Sequence, residues 1–419
     1  MSDTQAKAID RSVWRNALGL VGGNTLAELL GVLVQAQLIR ILGPAGLGPL
    51  SQAQAASEVA DGIGAFGLNQ VGPVIGVQHR DRLGAFMGSV LCVRVTVTVS
   101  IFLLVCALAP LFKSTDPGLV RLAAVTLLLA PFEATATIPY FIHQENWRIA
   151  WLPGLTTLLH AGLLLLTLAF GGKLAWVLLS ALVTRVVHVS ALWLLVSRRY
   201  QLRLSVDREL VRKLLTIAPQ AAWLDAVVIA YSRASYFVLD GLGPGVIGLY
   251  ALADRITAPI LRLSGAFSAS ALPKFAELGH AADVRGVTGF YLRNVRRVAL
   301  TLIGLGALLA LGLPVVVRTW FADYAGSLPI VFVLYLGVFC MAVNQLTSSC
   351  LNGLGHFGWV AIIATINLGV YFIGVSLWVG PHAAVGAAVA TTVMEGVNMA
   401  MQLGLLTFTL RRLHAGAAT

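Results

Sequence analysis

A chain of 419 residues that is 58% hydrophobic and only 11% charged, with a mean hydropathy of +0.84, has too little polar surface to cover a soluble globule of its size. Soluble fold classes are therefore excluded. A net charge of +11 would suggest nucleic acid in a soluble protein, but the basic residues here sit mostly in short loops between apolar runs, where anionic lipid is the natural neighbour.

The chain opens "MSDTQAKAIDRSVWRN", polar and mixed in charge, without the early apolar core and cleavage site of a signal peptide, so the first span is expected to be retained. Apolar runs near or above the roughly 20 residues that cross a hydrocarbon core predict twelve helical spans, at 13–39, 47–77, 84–112, 119–141, 149–171, 174–197, 214–240, 246–273, 289–314, 327–352, 357–380 and 384–410. The longest polar connector, "SRRYQLRLSVDRELVRK" at 197–213, divides them six and six. The expected layout is a six-helix bundle over 13–198, a cytoplasmic linker over 199–213 lying on the membrane surface, and a second six-helix bundle over 214–412.

With the amino terminus inside, the inner segments carry 19 of the 29 Lys and Arg residues and the outer segments five, namely Arg40, Lys113, Arg121, Lys173 and Arg318. This imbalance places both termini in the cytoplasm. The cysteines Cys92, Cys106, Cys340 and Cys350 all fall inside predicted spans without a C-x-x-C pair, so neither a disulfide framework nor a metal site is indicated.

The turn after the first span, "LIRILGPAGLGPLSQAQA" at 38–55, returns after the seventh as "FVLDGLGPGVIGLYALAD" at 237–254. Leu42, Gly43, Pro44, Gly48 and Ala53 match Leu242, Gly243, Pro244, Gly248 and Ala253 at a constant offset. Because each half has an even number of spans, the repeat implies parallel, pseudo-symmetric halves. The expected fold class is an all-α polytopic membrane protein of about 12 transmembrane helices in two pseudo-symmetric six-helix bundles.

The pattern of an arginine, a few apolar residues and "LGPAGLGPL", echoed by "DGLGPGVIGLY", resembles the turn of polysaccharide transporters, the Wzx-type oligosaccharide flippases of the multidrug/oligosaccharidyl-lipid/polysaccharide (MOP) superfamily. The resemblance implies bundles arranged around a central cavity that alternates between sides. It also implies a cargo, an undecaprenyl-pyrophosphate-linked oligosaccharide carried outward across a bacterial inner membrane, and other polysaccharide assembly proteins as partners. No cofactor is implied.

Arg94, Arg185, Arg233, Arg255 and Arg262 lie within the spans. Facing lipid at mid-depth they would cost roughly 2.5 to 3.5 kcal/mol each, about 12 to 18 kcal/mol together, as much as a typical domain's whole stability of ~5 to 15 kcal/mol. They must face protein, water or a ligand, as must Glu28, Glu58, Asp61, Glu133, Asp225, Asp254 and Glu395. Helical spacing gathers the polar residues into stripes: Asn24, Glu28 and Gln35; Ser51, Gln54, Glu58 and Asp61; Asn344, Gln345, Ser348 and Asn352; Thr391, Glu395, Asn398 and Gln402. Arg255 and Arg262 share one face, with Pro259 between them; together with Pro131 and Pro219 this proline is expected to break a helix.

For the cargo the resemblance implies, guanidinium groups suit a pyrophosphate, being permanently charged and fork-shaped. Arg233, Arg255, Arg262, Arg94 and Arg185 are candidate pyrophosphate ligands, and Asn24, Gln35, Asn344, Gln345 and Asn398 candidate partners of sugar hydroxyls. Equally, each arginine can pair with an acid on a neighbouring helix and fasten the bundle. Glu28, Glu58, Asp61 and Glu395 are candidates for coupling to protons or sodium, or permanent ion-pair partners.

The sequence lacks G-x-x-x-x-G-K-[ST], H-E-x-x-H and G-x-S-x-G, which argues against a nucleotide engine and against hydrolytic chemistry. Two rivals remain. A multidrug or cation exporter of the same superfamily would favour acids and aromatics over several arginines; a membrane-embedded glycosyltransferase or polymerase would need an acidic catalytic motif or a long outer loop.

Overall fold

The computed structural model describes residues 3–416 other than 144, 172–173, 201–202 and 282; for 3–30, 70, 73–74, 263, 266, 269, 273 and 413–416 it describes the backbone course alone. The described residues form helices α1 (Asp3–Gly64), α2 (Leu68–Gln78), α3 (Leu83–Leu108), α4 (Pro117–Val125), α5 (Ala130–Ile142), α6 (Leu152–Ala169), α7 (Leu174–Tyr200), α8 (Arg208–Val238), α9 (Pro244–His280), α10 (Val284–Trp320), α11 (Ser327–Gly353) and α12 (Phe357–Gly416). Among the described residues, eight helical stretches are long and apolar enough to cross a membrane. Helices predominate because a bilayer offers no partner for an unpaired peptide group, so the backbone must satisfy itself.

Helix boundaries follow the sequence's breakers. The backbone of α1 leaves helical geometry at Gly43 (φ 61°, ψ 176°), and Gly243 takes nearly the same conformation (φ 98°, ψ 159°) before α9. A side chain resists such positive φ values, and the proline that follows each glycine is preformed for a first helical turn. The course of α12 breaks at Ala383 (φ 48°, ψ −124°), between the eleventh and twelfth predicted spans.

Two predicted spans are interrupted inside. The second stops at Gly64 and resumes at Leu68 through Phe66 (φ 51°) and Gly67 (φ 67°), where an added Cβ would meet the Ala222 amide and Ala218 carbonyl of α8. The fourth is divided into α4 and α5 by a 3-10 turn, Thr126–Leu129, with Pro131 in the first turn of α5. Pro219 and Pro259, by contrast, lie within the unbroken helices α8 and α9. A proline removes one hydrogen bond yet keeps a helical φ, so alone it does not end a span that its neighbours support.

The chain falls into two compact units. The first comprises residues up to Leu42 together with Gln52–Ile229; the second comprises Gly43–Ser51 and everything from Ala230 onward. The division within α8 lies beyond the polar connector, and Leu210, Leu214 and Ala218 at the start of α8 belong to the first unit's core with Leu68, Phe86, Val90 and Leu192. Residues 203–207 of the connector run without regular structure, and the Asp207 amide donates to Ser89 Oγ at 2.9 Å. In the second unit Phe275, Tyr291, Leu346 and Cys350 form the core of α9, α10 and α11. Large apolar side chains such as Leu104, Leu308 and Leu311 remain exposed, as expected where the surroundings are lipid tails.

The repeated turns meet each other inside the second unit. A Cβ added to Gly48 would land on the Pro244 carbonyl, and one added to Gly248 would land on the Pro44 carbonyl. Each copy's glycine thus receives the other copy's proline, a reciprocal crossing in which small residues let two helix starts touch through their backbones.

Candidate functional site

The two interrupted spans frame a cavity of about 280 Å³ in the first unit. The end of α1 supplies Asp61 and Gly64, the break after it Ala65, α2 begins beside it with Asn69, α3 contributes Arg94 and Thr98, α5 contributes Glu133 and Thr137, and α7 contributes Arg185. Irregular backbone at membrane depth is tolerated where it lines a cavity or is buried in protein, and discontinuous helices commonly build transporter binding sites.

Two arginines with different surroundings stand on its wall. The Arg185 Nε donates to Glu133 Oε2 at 3.0 Å, and its Nη2 lies 3.6 Å from Asp61 Oδ2. His188 Nε2 approaches the other oxygen of Glu133 at 3.8 Å, while His188 Nδ1 shares a 3.2 Å hydrogen bond with Thr156. Arg94 is 2% exposed; its Nη2 donates to the neutral Asn69 Oδ1 at 2.8 Å, and among the described residues its Nε has no hydrogen-bond partner and no carboxylate lies within ion-pairing distance.

The second unit holds two polar groups. In one, Arg233 Nη1 and the Tyr236 hydroxyl both donate to Asp254 Oδ2 at 2.8 Å, and Arg255 Nη2 donates to Ser51 at 3.3 Å. Arg262 is exposed and has no hydrogen bond or ion pair among the described residues. In the other, Glu395, 1% exposed, accepts from the amides of Asn344 at 2.7 Å and Asn398 at 3.2 Å. The chain continues from Gln402 Nε2 to Asn398 and from Ser348 to Gln402, each at 2.8 Å. Glu395 Oε1 and Asn344 Oδ1 have no hydrogen-bond partner among the described residues.

The structure therefore brings Asp61, Arg94 and Arg185 onto one cavity, and joins Asn344, Asn398 and Glu395 in one buried network. Asn344 and Asn398 direct their amide donors at Glu395, where the sequence reading directed them at a sugar. Gln345 is half-buried, its Oε1 without a hydrogen-bond partner among the described residues, and Gln35 and Glu58 are exposed. Asn24 and Glu28 lie outside the residues whose side chains are described. Asn69 and Glu133 are cavity residues that the stripe argument passed over. A signal was present in "DGIGAFGLN" at 61–69, where glycines crowd the middle of a span.

The family model described as "Polysaccharide biosynthesis protein" matches residues 13–278, well over half of the chain. The chain belongs to that family. No curated protein matches it by sequence, but solved structures share its fold. A lipid II flippase MurJ in an inward closed conformation superposes with a TM-score of 0.76 at 12% identity, over 93% of this chain and 87% of that one. An inward-facing multidrug resistance MATE family transporter of the MOP superfamily gives 0.67 at 16% identity, over 97% and 99%. A MOP superfamily transporter from Pyrococcus furiosus, described by the reverse polarity of its binding pocket, gives 0.61 at 15% identity, over 96% of each chain. This member of the polysaccharide biosynthesis family thus has the MOP fold, and the family match covers every residue of the first unit's cavity together with Arg233, Arg255 and Arg262.

Proposed function

We propose that the protein is a flippase that moves a lipid-pyrophosphate-linked oligosaccharide, of the undecaprenyl type, outward across a bacterial inner membrane by alternating access. The observation that carries this reading is Arg94. A guanidinium that is 2% exposed at a cavity wall, whose hydrogen bond among the described residues goes to an amide oxygen and which has Asp61 on the same cavity but beyond ion-pairing distance, is a buried cation that an anionic ligand would complete. Arg185 plays a different part: shared between Asp61 and Glu133, it can exchange carboxylate for phosphate partners as cargo arrives. Glycines and an amide at the cavity leave room for sugar hydroxyls.

The test is flipping in proteoliposomes with a fluorescent lipid-pyrophosphate oligosaccharide. Arg94→Gln keeps a donor for Asn69 but removes the charge; we expect at least a tenfold loss of flipping, about 1.4 kcal/mol or more, with the unfolding midpoint little changed. Undiminished flipping removes Arg94 from the cargo path and with it the main support for an anionic cargo.

Asp61 and Glu133 on the same cavity favour a second reading, export of cationic compounds like the multidrug MATE relatives. Uptake of a lipophilic cationic dye that Asp61→Asn abolishes, with no flipping of the lipid-linked sugar, selects it.

A further inference from the structure

A second hollow of the first unit shares no lining residue with the cavity at the helix breaks. It is a cleft of about 480 Å³ bounded by the turn Arg80–Arg82, the first turn of α3, and Tyr200 and Arg203 from the end of α7 and the connector. Its lining carries three arginines, Arg80, Arg82 and Arg203, and one acid, Asp81.

The cluster is built rather than scattered. Arg80 is anchored through Nη2 to the Ile142 carbonyl at 2.8 Å. The connector is pressed onto α3, since a Cβ at Gly84 would strike the Arg203 carbonyl and one at Gly88 the Ser205 carbonyl. This close approach sets Arg203 beside the 80–82 turn. Behind it His143 stacks on Tyr200, with centroids 5.2 Å apart and planes at 19°.

A neighbouring acid, Glu145, which accepts from Tyr200 of the cleft lining, is already committed. Glu145 receives Arg199 at 2.8 Å, the Tyr200 hydroxyl at 3.0 Å and Arg148 at 3.4 Å. Arg82 and Arg203 are exposed and make no ion pair among the described residues. On the adjoining turn Trp147 and Trp151, the latter half-exposed and donating to the Arg148 carbonyl at 2.7 Å, have the chemistry of a bilayer–water boundary.

We propose that this cleft is a binding site for the phosphodiester of an anionic phospholipid headgroup. Guanidinium forks match phosphate oxygens with paired donors, and the excess of arginine over Asp81 selects a net anion over a zwitterion. Asp81 of the same lining offers an acceptor for a glycerol hydroxyl, which fits a phosphatidylglycerol-type headgroup.

The full-length protein in detergent is titrated with short-chain phosphatidylglycerol, short-chain phosphatidylcholine and sn-glycerol 3-phosphate. Wild type is expected to bind the phosphatidylglycerol and not the phosphatidylcholine. Arg82→Gln with Arg203→Gln should weaken that binding roughly tenfold or more, given about a fivefold effect per interfacial basic residue. The exposed Arg212→Gln serves as a control and should leave binding unchanged. Equal affinity for glycerol phosphate supports the phosphate site but assigns its ligand to solution. Equal binding by the double variant and wild type overturns the proposal, as does equal loss in the control. Photocrosslinking of wild type with a diazirine-tagged phosphatidylglycerol needs no variant: label at 80–85 or 203 supports the site, and label confined elsewhere overturns it.

Discussion

Arg94 and Arg185 line one cavity with different partners, Arg94 hydrogen-bonded to an amide oxygen and Arg185 to carboxylates. Arg185 touches two carboxylates and is itself partly exposed, at 27%, so as an ion pair it is worth about 1 kcal/mol or less. Arg185→Gln should therefore lower the unfolding midpoint only slightly in detergent, and a larger loss of flipping than of stability marks it as a cargo residue. Glu145 offers a pH test outside the spans. Its hydrogen bond from Arg199, helped by Tyr200 and Arg148, holds it at about 2 against an ordinary 4.5. An acid depressed on folding contributes stability that is complete above its unfolded value and lost as pH falls through its folded one. Glu145→Gln should accordingly lower the thermal midpoint by a constant amount from pH 8 to pH 5, with the gap closing between about pH 4.5 and pH 2. A gap that persists at pH 2 assigns the effect to packing and not to charge.

At the scale of elements, the reciprocal crossing of Gly48 with Pro244 and Gly248 with Pro44 makes the two copies of the turn one packing unit. Overpacking a close backbone contact typically costs about 1–3 kcal/mol, and Gly48→Ala and Gly248→Ala are each expected to cost that in a denaturation series. Because either methyl group pushes the same two helix starts apart, the double variant should cost less than the sum. Strict additivity shows that the two contacts are independent. The same reasoning explains why the breaks at 65–67 and 126–130 matter more than the prolines inside α8 and α9: a positive φ or a tightened turn exposes peptide groups and redirects side chains, whereas a supported proline does neither.

For the whole molecule, the distribution of arginine and lysine sets orientation through insertion rather than through packing. A fluorescent protein fused after Thr419 should fluoresce from the cytoplasm, and a periplasm-dependent phosphatase fused there should be inactive; active phosphatase reverses the topology. Coupling is tested in the same vesicles as flipping, where collapse of a proton gradient or replacement of sodium slows transport if Glu395, Asp61 or Glu58 loads an ion.

The membrane class, the spans and the turn repeat were legible in the sequence because each is written locally. Hydropathy is summed along a few turns, and "LGP" followed by a spaced glycine carries its own φ requirement at Gly43 and Gly243. Helical stripes likewise put Asn344 and Ser348 on one face of a helix, and Glu395, Asn398 and Gln402 on one face of another, with sugar hydroxyls as the expected partners. What they could not say is that these side chains satisfy one another, since periodicity fixes a face but not the partner opposite it. Only the tertiary structure decided that Arg185 meets Asp61 and Glu133 while Arg94 meets Asn69, that the repeated turns pack on each other, and that two broken spans enclose a cavity. Those outcomes depend on distances between residues far apart in the chain, which are set when the helices dock and not by any segment alone.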